Sequence, residues 1–219
     1  MAIPNPTTIT LNPPHHHTND SKTNPNNKNT PPYITFLTGT WHVTHSSLPL
    51  WKDKRNVSIT YTPIPSQNAS TTAGSGSGDD PTTKLDDLVQ YQSRDPSKTK
   101  IHTVHGIDTP SVSNPGAWDW RGKGWLMIAS SHWEVLGFGE IEPEQAGAGN
   151  GTGSEEERNA WVVTYFAKTL FTPAGIDVYS RRKEGVSEDI LEGIFRALRG
   201  LQVPEIGGLV DGVFEIPRD

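Results

Sequence analysis

Nearly every apolar stretch of this chain alternates in twos, the period at which successive side chains fall on opposite faces of a β-strand. Segments 34–45, 56–64, 84–93, 100–108, 116–121, 124–130, 132–140, 160–168 and 175–181 are rich in Val, Ile, Thr, Tyr and Trp and are divided by Gly, Pro, Asn and Asp. Pattern counting therefore predicts about nine strands. Their connections are too short for the crossover helices of a parallel sheet, so the strands are expected to run antiparallel. Arg121-Gly122-Lys123-Gly124 reads as a tight hairpin turn. Only one segment has helical period: Ser187 is placed to cap it, Glu188 and Asp189 sit at its positive end, and Ile190, Leu191, Ile194, Phe195 and Leu198 form an apolar stripe before Gly200. An all-β fold follows, with the strands in a closed antiparallel up-and-down barrel and one C-terminal amphipathic helix laid outside it. Closure removes exposed edges.

At 219 residues the chain has room for one domain and tails. Residues 1–31, mostly Pro, Asn, Thr and His, bury too little to offset chain entropy and are expected to be a disordered tail. The Gly- and Ser-rich stretches 65–83 and 143–158 are expected to be long disordered loops. That leaves the barrel and helix in 32–203 and an irregular extension over 204–219. With net charge −6 and no basic run, the chain lacks the positive footprint of a nucleic-acid binder. The lack of cysteine excludes disulfides, thiolate nucleophiles and cysteine zinc sites. No apolar run is long enough for a membrane span, and Met1–His17 has neither a basic nor an apolar signal region, so a cytoplasmic location is expected.

Gly39-Thr40-Trp41 on the first strand, Val163-Thr164-Tyr165 on a late one, then Ile176-Asp177-Val178-Tyr179-Ser180-Arg181 and Val186-Ser187-Glu188-Asp189-Ile190-Leu191-Glu192 stand in an order that resembles the lipocalin family of the calycin group. The Asp usual between the late Thr and Tyr is absent. The resemblance covers both ends of the ordered region and implies structural roles for Gly39, Trp41 and Arg181, with a guanidinium stacked on the indole that closes the barrel floor. It also implies a small hydrophobic ligand inside.

The alternation then proposes walls. If Trp41 faces inward, so do Val43 and His45; on the fourth segment the apolar balance favours Ile101, Thr103, His105 and Ile107 as the inner face. Tyr61, Tyr91, Trp118, Trp120, Met127 and Trp133 complete the candidate ligand-binding set. For proton transfer the candidates are His45, His105, Glu134 and Tyr165, with Glu134 a general acid if apolar surroundings favour its neutral form. Asp86-Asp87 reads as a solvated bend. His42-x-x-His45 and His102-x-x-His105 place their rings on opposite strand faces unless a bulge intervenes, so no metal and no cofactor is expected; His15-His16-His17 falls in the tail, where any metal would be adventitious. A haem-type barrel would need one axial histidine, for which His45, His105 or His132 are available. Two roles stay open: a carrier or sequestering protein for a small hydrophobic molecule, and a cofactor-free isomerase or cyclase acting on a terpenoid or polyketide-like compound in the same cavity. A barrel with a solid core, acting through its surface, is the third.

Overall fold

The computed structural model describes residues 9–17, 32–65, 80, 82–141 and 159–219. The expected loops at 65–83 and 143–158 lie outside these, apart from residues 65, 80, 82 and 83. Eight strands run in chain order, each antiparallel to the next: β1 (Gly39–Ser46), β2 (Lys54–Pro63), β3 (Leu85–Ser93), β4 (Ile101–Pro110), β5 (Ala117–Gly122), β6 (Ser130–Ile141), β7 (Asn159–Phe166) and β8 (Gly175–Ser180). β1 pairs with both β2 and β8, which shuts the ring. A two-residue strand, β9 (Phe214–Glu215), continues the sheet on β1 at His45 and Ser46.

The strand pattern needs two corrections. Segment 34–45 begins not as a strand but as a single helical turn, α1 (Ile34–Leu37). Segment 124–130 is not a strand either, and residues 121–124 are not the tight turn expected: Arg121 and Gly122 end β5, Gly124–Leu126 form a 3-10 turn, and the β5–β6 connection takes up Lys123–Ala129. Gly122 permits this, since a Cβ there would lie 2.4 Å from the Leu126 carbonyl oxygen folded back over it.

The predicted helix is α2 (Glu188–Gly200), begun at Ser187, which accepts from the Leu191 amide through its backbone carbonyl rather than capping with its hydroxyl. The extension is more regular than expected, because Pro204 starts a second helix, α3 (Pro204–Asp211). Ile194 and Leu198 of α2 and Ile206 and Val210 of α3 cover the outer side of β7 and β8 at Val163, Tyr165, Ile176 and Val178. β7 and β8 are consequently buried on both faces. Part of the expected tail is also folded: Leu11 packs where Gly137 leaves room for it, and the Asn12 amide donates to the Leu136 carbonyl at 2.7 Å. Residues 1–8 and 18–31 of that tail lie outside the described residues.

Candidate functional site

One end of the barrel is sealed. The Trp41 indole N–H donates to the Leu37 carbonyl of α1 at 2.9 Å, and Phe36 lies against both Trp41 and Phe138. The Arg181 guanidinium carbon sits 3.7 Å from the centre of the Trp41 ring system, and its N–H groups donate to the carbonyls of Thr40, Thr38 and Phe36. Gly39, at φ +99°, admits this arginine: a Cβ there would stand 3.2 Å from an Arg181 nitrogen.

The other end is open. A cavity of about 510 Å³ enters between the Pro49–Trp51 turn, the β5–β6 hairpin and the β7–β8 loop, and runs down past Ile59, Val89 and Val104. Its walls are aromatic. Trp133 stacks with Tyr61 at 5.8 Å and with Trp118 at 5.7 Å, while Trp51 meets the edge of Tyr91 at 6.1 Å. Trp120 lies flat over β4 because Gly106 has no side chain; a Cβ there would fall 2.1 Å from its indole nitrogen.

Among these rings are three carboxyls. Asp177 of β8 accepts from Ser46 Oγ at 2.5 Å and from Trp51 Nε1 at 3.3 Å, yet burial outweighs both donors and pushes it up to about 7. Asp108 of β4 is likewise raised to about 7 by burial, against the opposing pull of the Trp133 N–H that donates to it at 2.8 Å. Asp87 of β3 is pushed well above the usual carboxylate range by burial and then by the neighbouring charge of Asp108. Oδ1 of Asp87 and Oδ2 of Asp108 have no hydrogen-bond partner among the described residues. Burial thus shifts all three carboxyls toward the protonated form, and Asp87 and Asp177 line the cavity.

An eight-stranded antiparallel ring closed by β1 on β8, its floor sealed by an indole under an arginine and its last strand followed by a packed helix, decides the architecture. The chain has a lipocalin-like fold. A scan against protein-family models finds no match, and neither does a search of curated proteins. Solved structures of similar shape include lobster apocrustacyanin A1 (7% identity over 85% of this chain and 79% of that one, TM-score 0.48), the siderocalin Ex-FABP (12%, 84% and 95%, 0.44) and a biogenic amine-binding protein (15%, 81% and 77%, 0.43).

The lipocalin-like barrel distributes the expected site residues unevenly. Tyr61, Tyr91, Trp120 and Trp133 line the cavity. Trp118 and Val43 are in the interior, beside or below it. Met127 is instead on the exposed hairpin at the rim. His45 is outside: a bulge between Val43 and His45 in the pairing with β8 reverses the alternation, and the ring meets Phe195 of α2 edge-on at 6.2 Å. The fourth strand is turned the other way from the expectation. Val104, Gly106 and Asp108 face in, and Ile101, Thr103 and His105 are left on the outside, because the inner surface there is reserved for Trp120 over a glycine and for the acceptor of the Trp133 N–H.

None of the four candidate proton-transfer residues reaches the cavity. His105 pairs with Asp86 at 2.7 Å on the outer face. Glu134 is buried but outside, beneath the folded N-terminal segment, where His15 Nδ1 lies at 2.5 Å and the His15 amide donates at 2.9 Å. Burial alone would raise Glu134, but its hydrogen bonds to His132 and His15 hold it near about 2, so it is an anion and not the neutral acid expected. Tyr165 is outside too, its hydroxyl 3.2 Å from Glu205 of α3. The three tail histidines stand in a 3-10 turn, and His16, His17 and Glu205 each bring a ligand-type atom within 4.8 Å of one another, the one such metal-capable group among the described residues. The Trp125 side chain lies outside the described residues.

The residues overlooked are Asp87, Asp108, Asp177 and Tyr179. Alternation contained the signal for three of them: Asp177 and Tyr179 share a face with Arg181, and Asp87 shares one with Tyr91. Asp87 is no solvated bend.

Proposed function

We propose that this protein binds a small, largely apolar molecule in the barrel and acts as its carrier or sequestering agent. The observation that carries this is the roughly 510 Å³ cavity, sealed at one end, open at the other and walled by Tyr61, Tyr91, Trp120 and Trp133. Quenching of intrinsic tryptophan fluorescence by a panel of polyenes, terpenoids and aromatic polyketides tests it. Saturable quenching, weakened in Trp133→Leu, is the expected result; a panel that quenches nothing refutes the reading. The absence of cysteine suits a cytoplasmic place of action.

A second reading is favoured by the carboxyls. A cofactor-free isomerase or cyclase needs a proton donor beside an apolar substrate, and Asp87, which lines the cavity and whose carboxyl burial shifts toward its protonated form, stands where His45, His105, Glu134 and Tyr165 do not. Its unpartnered Oδ1 is covered, so the substrate would have to uncover it. The proton of Asp87 would go to a substrate double bond or carbonyl oxygen, and the carboxylate would recover one from the carbon that loses it. Conversion of a bound polyene to an isomer, followed by mass spectrometry and lost in Asp87→Asn while quenching persists, supports catalysis. Unchanged ligand recovered from both proteins leaves the carrier role alone.

A further inference from the structure

Six of the eight large hydrophobic residues exposed among the described residues stand at the open end: Leu50, Ile101, Met127, Ile128, Leu170 and Phe171. Five come from three of the four connections there and Ile101 is the first residue of β4, so the rim carries apolar side chains on several segments. The four connections, 47–53, 94–100, 123–129 and 167–174, carry Lys52, Arg94, Lys98, Lys100, Lys123 and Lys168 against Asp53 and Asp95 only. Six positive charges against two, in a chain of net charge −6, is a strong local reversal of sign. Of the six, Lys123 is partly committed to Asp86 at 2.8 Å.

We propose that the mouth of the barrel docks on the surface of an anionic lipid bilayer, with the loop tips entering the interface and the cations facing the headgroups. Two features single out this partner. Apolar side chains on short loops, Ile128 and Leu170 being 90% and 95% exposed, suit a deformable interface that they can enter. A basic ring around those tips complements anionic headgroups, each such residue near the surface giving roughly a fivefold gain in partitioning. Docking in this orientation sets the cavity entrance against the lipid, so an apolar molecule passes between barrel and bilayer without crossing water. That use rests on the binding role proposed above; the docking itself rests on the rim alone.

Flotation with phosphatidylcholine vesicles, with and without about one third phosphatidylserine, tests the inference. Ile128→Glu with Leu170→Glu is the informative variant, because the two residues are 90% and 95% exposed and neither lines the cavity. Lys98→Glu with Lys168→Glu tests the charges. The expected result is binding to the phosphatidylserine vesicles only, weakened by salt and reduced roughly tenfold or more in either variant, while the neutral dye Nile red still binds both variants as it does the wild type. Flotation of neither vesicle, equal flotation of both, or variants that float like the wild type each overturns docking. Retention on polyglutamate without flotation also overturns it and gives the rim to an acidic protein. Flotation without Nile red binding removes the cavity reading and keeps the docking surface.

Discussion

Replacing Asp177 by Asn should reverse in effect between acid and neutral pH. Asp177 is fully buried, and its carboxyl is raised from an ordinary 3.8 to about 7. Its native pKa lies above its unfolded one, so between these values the native state holds a proton that the unfolded chain has released. The stabilisation from this group is therefore complete below about pH 4, falls as pH rises, and is gone above about 7. Three pH units at about 1.4 kcal/mol each come to about 4 kcal/mol, of which roughly 3 falls between pH 5 and 8. Asn cannot ionise and escapes that loss. It does turn an N–H toward either Ser46 Oγ or the Trp51 N–H, a pH-independent cost of about 1–2 kcal/mol. Urea unfolding at about pH 5 and 8 separates the two terms, because every other titrating group is common to both proteins. The variant should be the less stable protein at pH 5 and should gain roughly 3 kcal/mol relative to wild type by pH 8. An equal difference at both pH values would mean that Asp177 is already ionised and that Ser46 and Trp51 outweigh burial.

Three further outcomes follow from the same geometry. Gly106→Ala drives Trp120 off β4 into the cavity, so it should cost about 1–3 kcal/mol in urea unfolding and weaken quenching by the largest ligands first. Arg181→Met keeps the stem over Trp41 but removes the cation and its three carbonyl bonds, and should cost about 2–3 kcal/mol without changing ligand affinity, since Arg181 does not reach the cavity. Glu134→Gln should loosen residues 9–17, read as faster exchange of the Asn12 amide. Glu134 is depressed from 4.5 to about 2, so its contribution stands above pH 4.5 and is lost as pH falls toward 2, whereas His132, raised to about 9 chiefly by Glu134, contributes fully below 6.5 and loses its share as pH rises through 9. The wild-type segment should hold best in between, and the variant should lack both flanks.

The barrel was legible because its information is local and repeated: alternation in eight separate places, a Trp on the first strand and an Arg just beyond the last. The same local rule failed where one residue broke phase. A bulge at Thr44 sends His45 outward although Trp41 and Val43 point in, and no hydropathy pattern marks that bulge. On β4 the apolar count chose the wrong face, since the inner face is there used for Gly106 and Asp108, a vacancy and a hydrogen-bond acceptor, and its two Ile were left outside. The two errors have different causes. Beside β1 the outer side is packed as well, His45 meeting Phe195 of α2 at the edge of a second core covered by α2, α3 and residues 9–17. On β4 the outer face is open to solvent, and Ile101 and His105 simply stand there exposed.

That double burial also explains why the polar candidates were misplaced. Glu134, Tyr165 and His15 look like chemistry in sequence, and the structure does bring them to buried or half-buried positions, but in the outer layer, where Glu134 is fully paired and holds the N-terminal segment against the wall. The inner carboxyls meet only neutral donors, Ser46 and Trp51 at Asp177 and Trp133 at Asp108. No Lys, Arg or His approaches Asp87 within hydrogen-bonding or ion-pairing distance among the described residues, so burial is answered by protonation and not by a counter-ion. A side chain that is only structural would be cheaper as Asn or Leu at that place. Keeping an acid there makes sense for a pocket whose occupant accepts a hydrogen bond or a proton, and Asp87→Asn should accordingly weaken binding of carbonyl-bearing ligands while leaving pure hydrocarbons of the same size unaffected. Equal losses for both classes would make Asp87 a packing residue and return the cavity to shape alone.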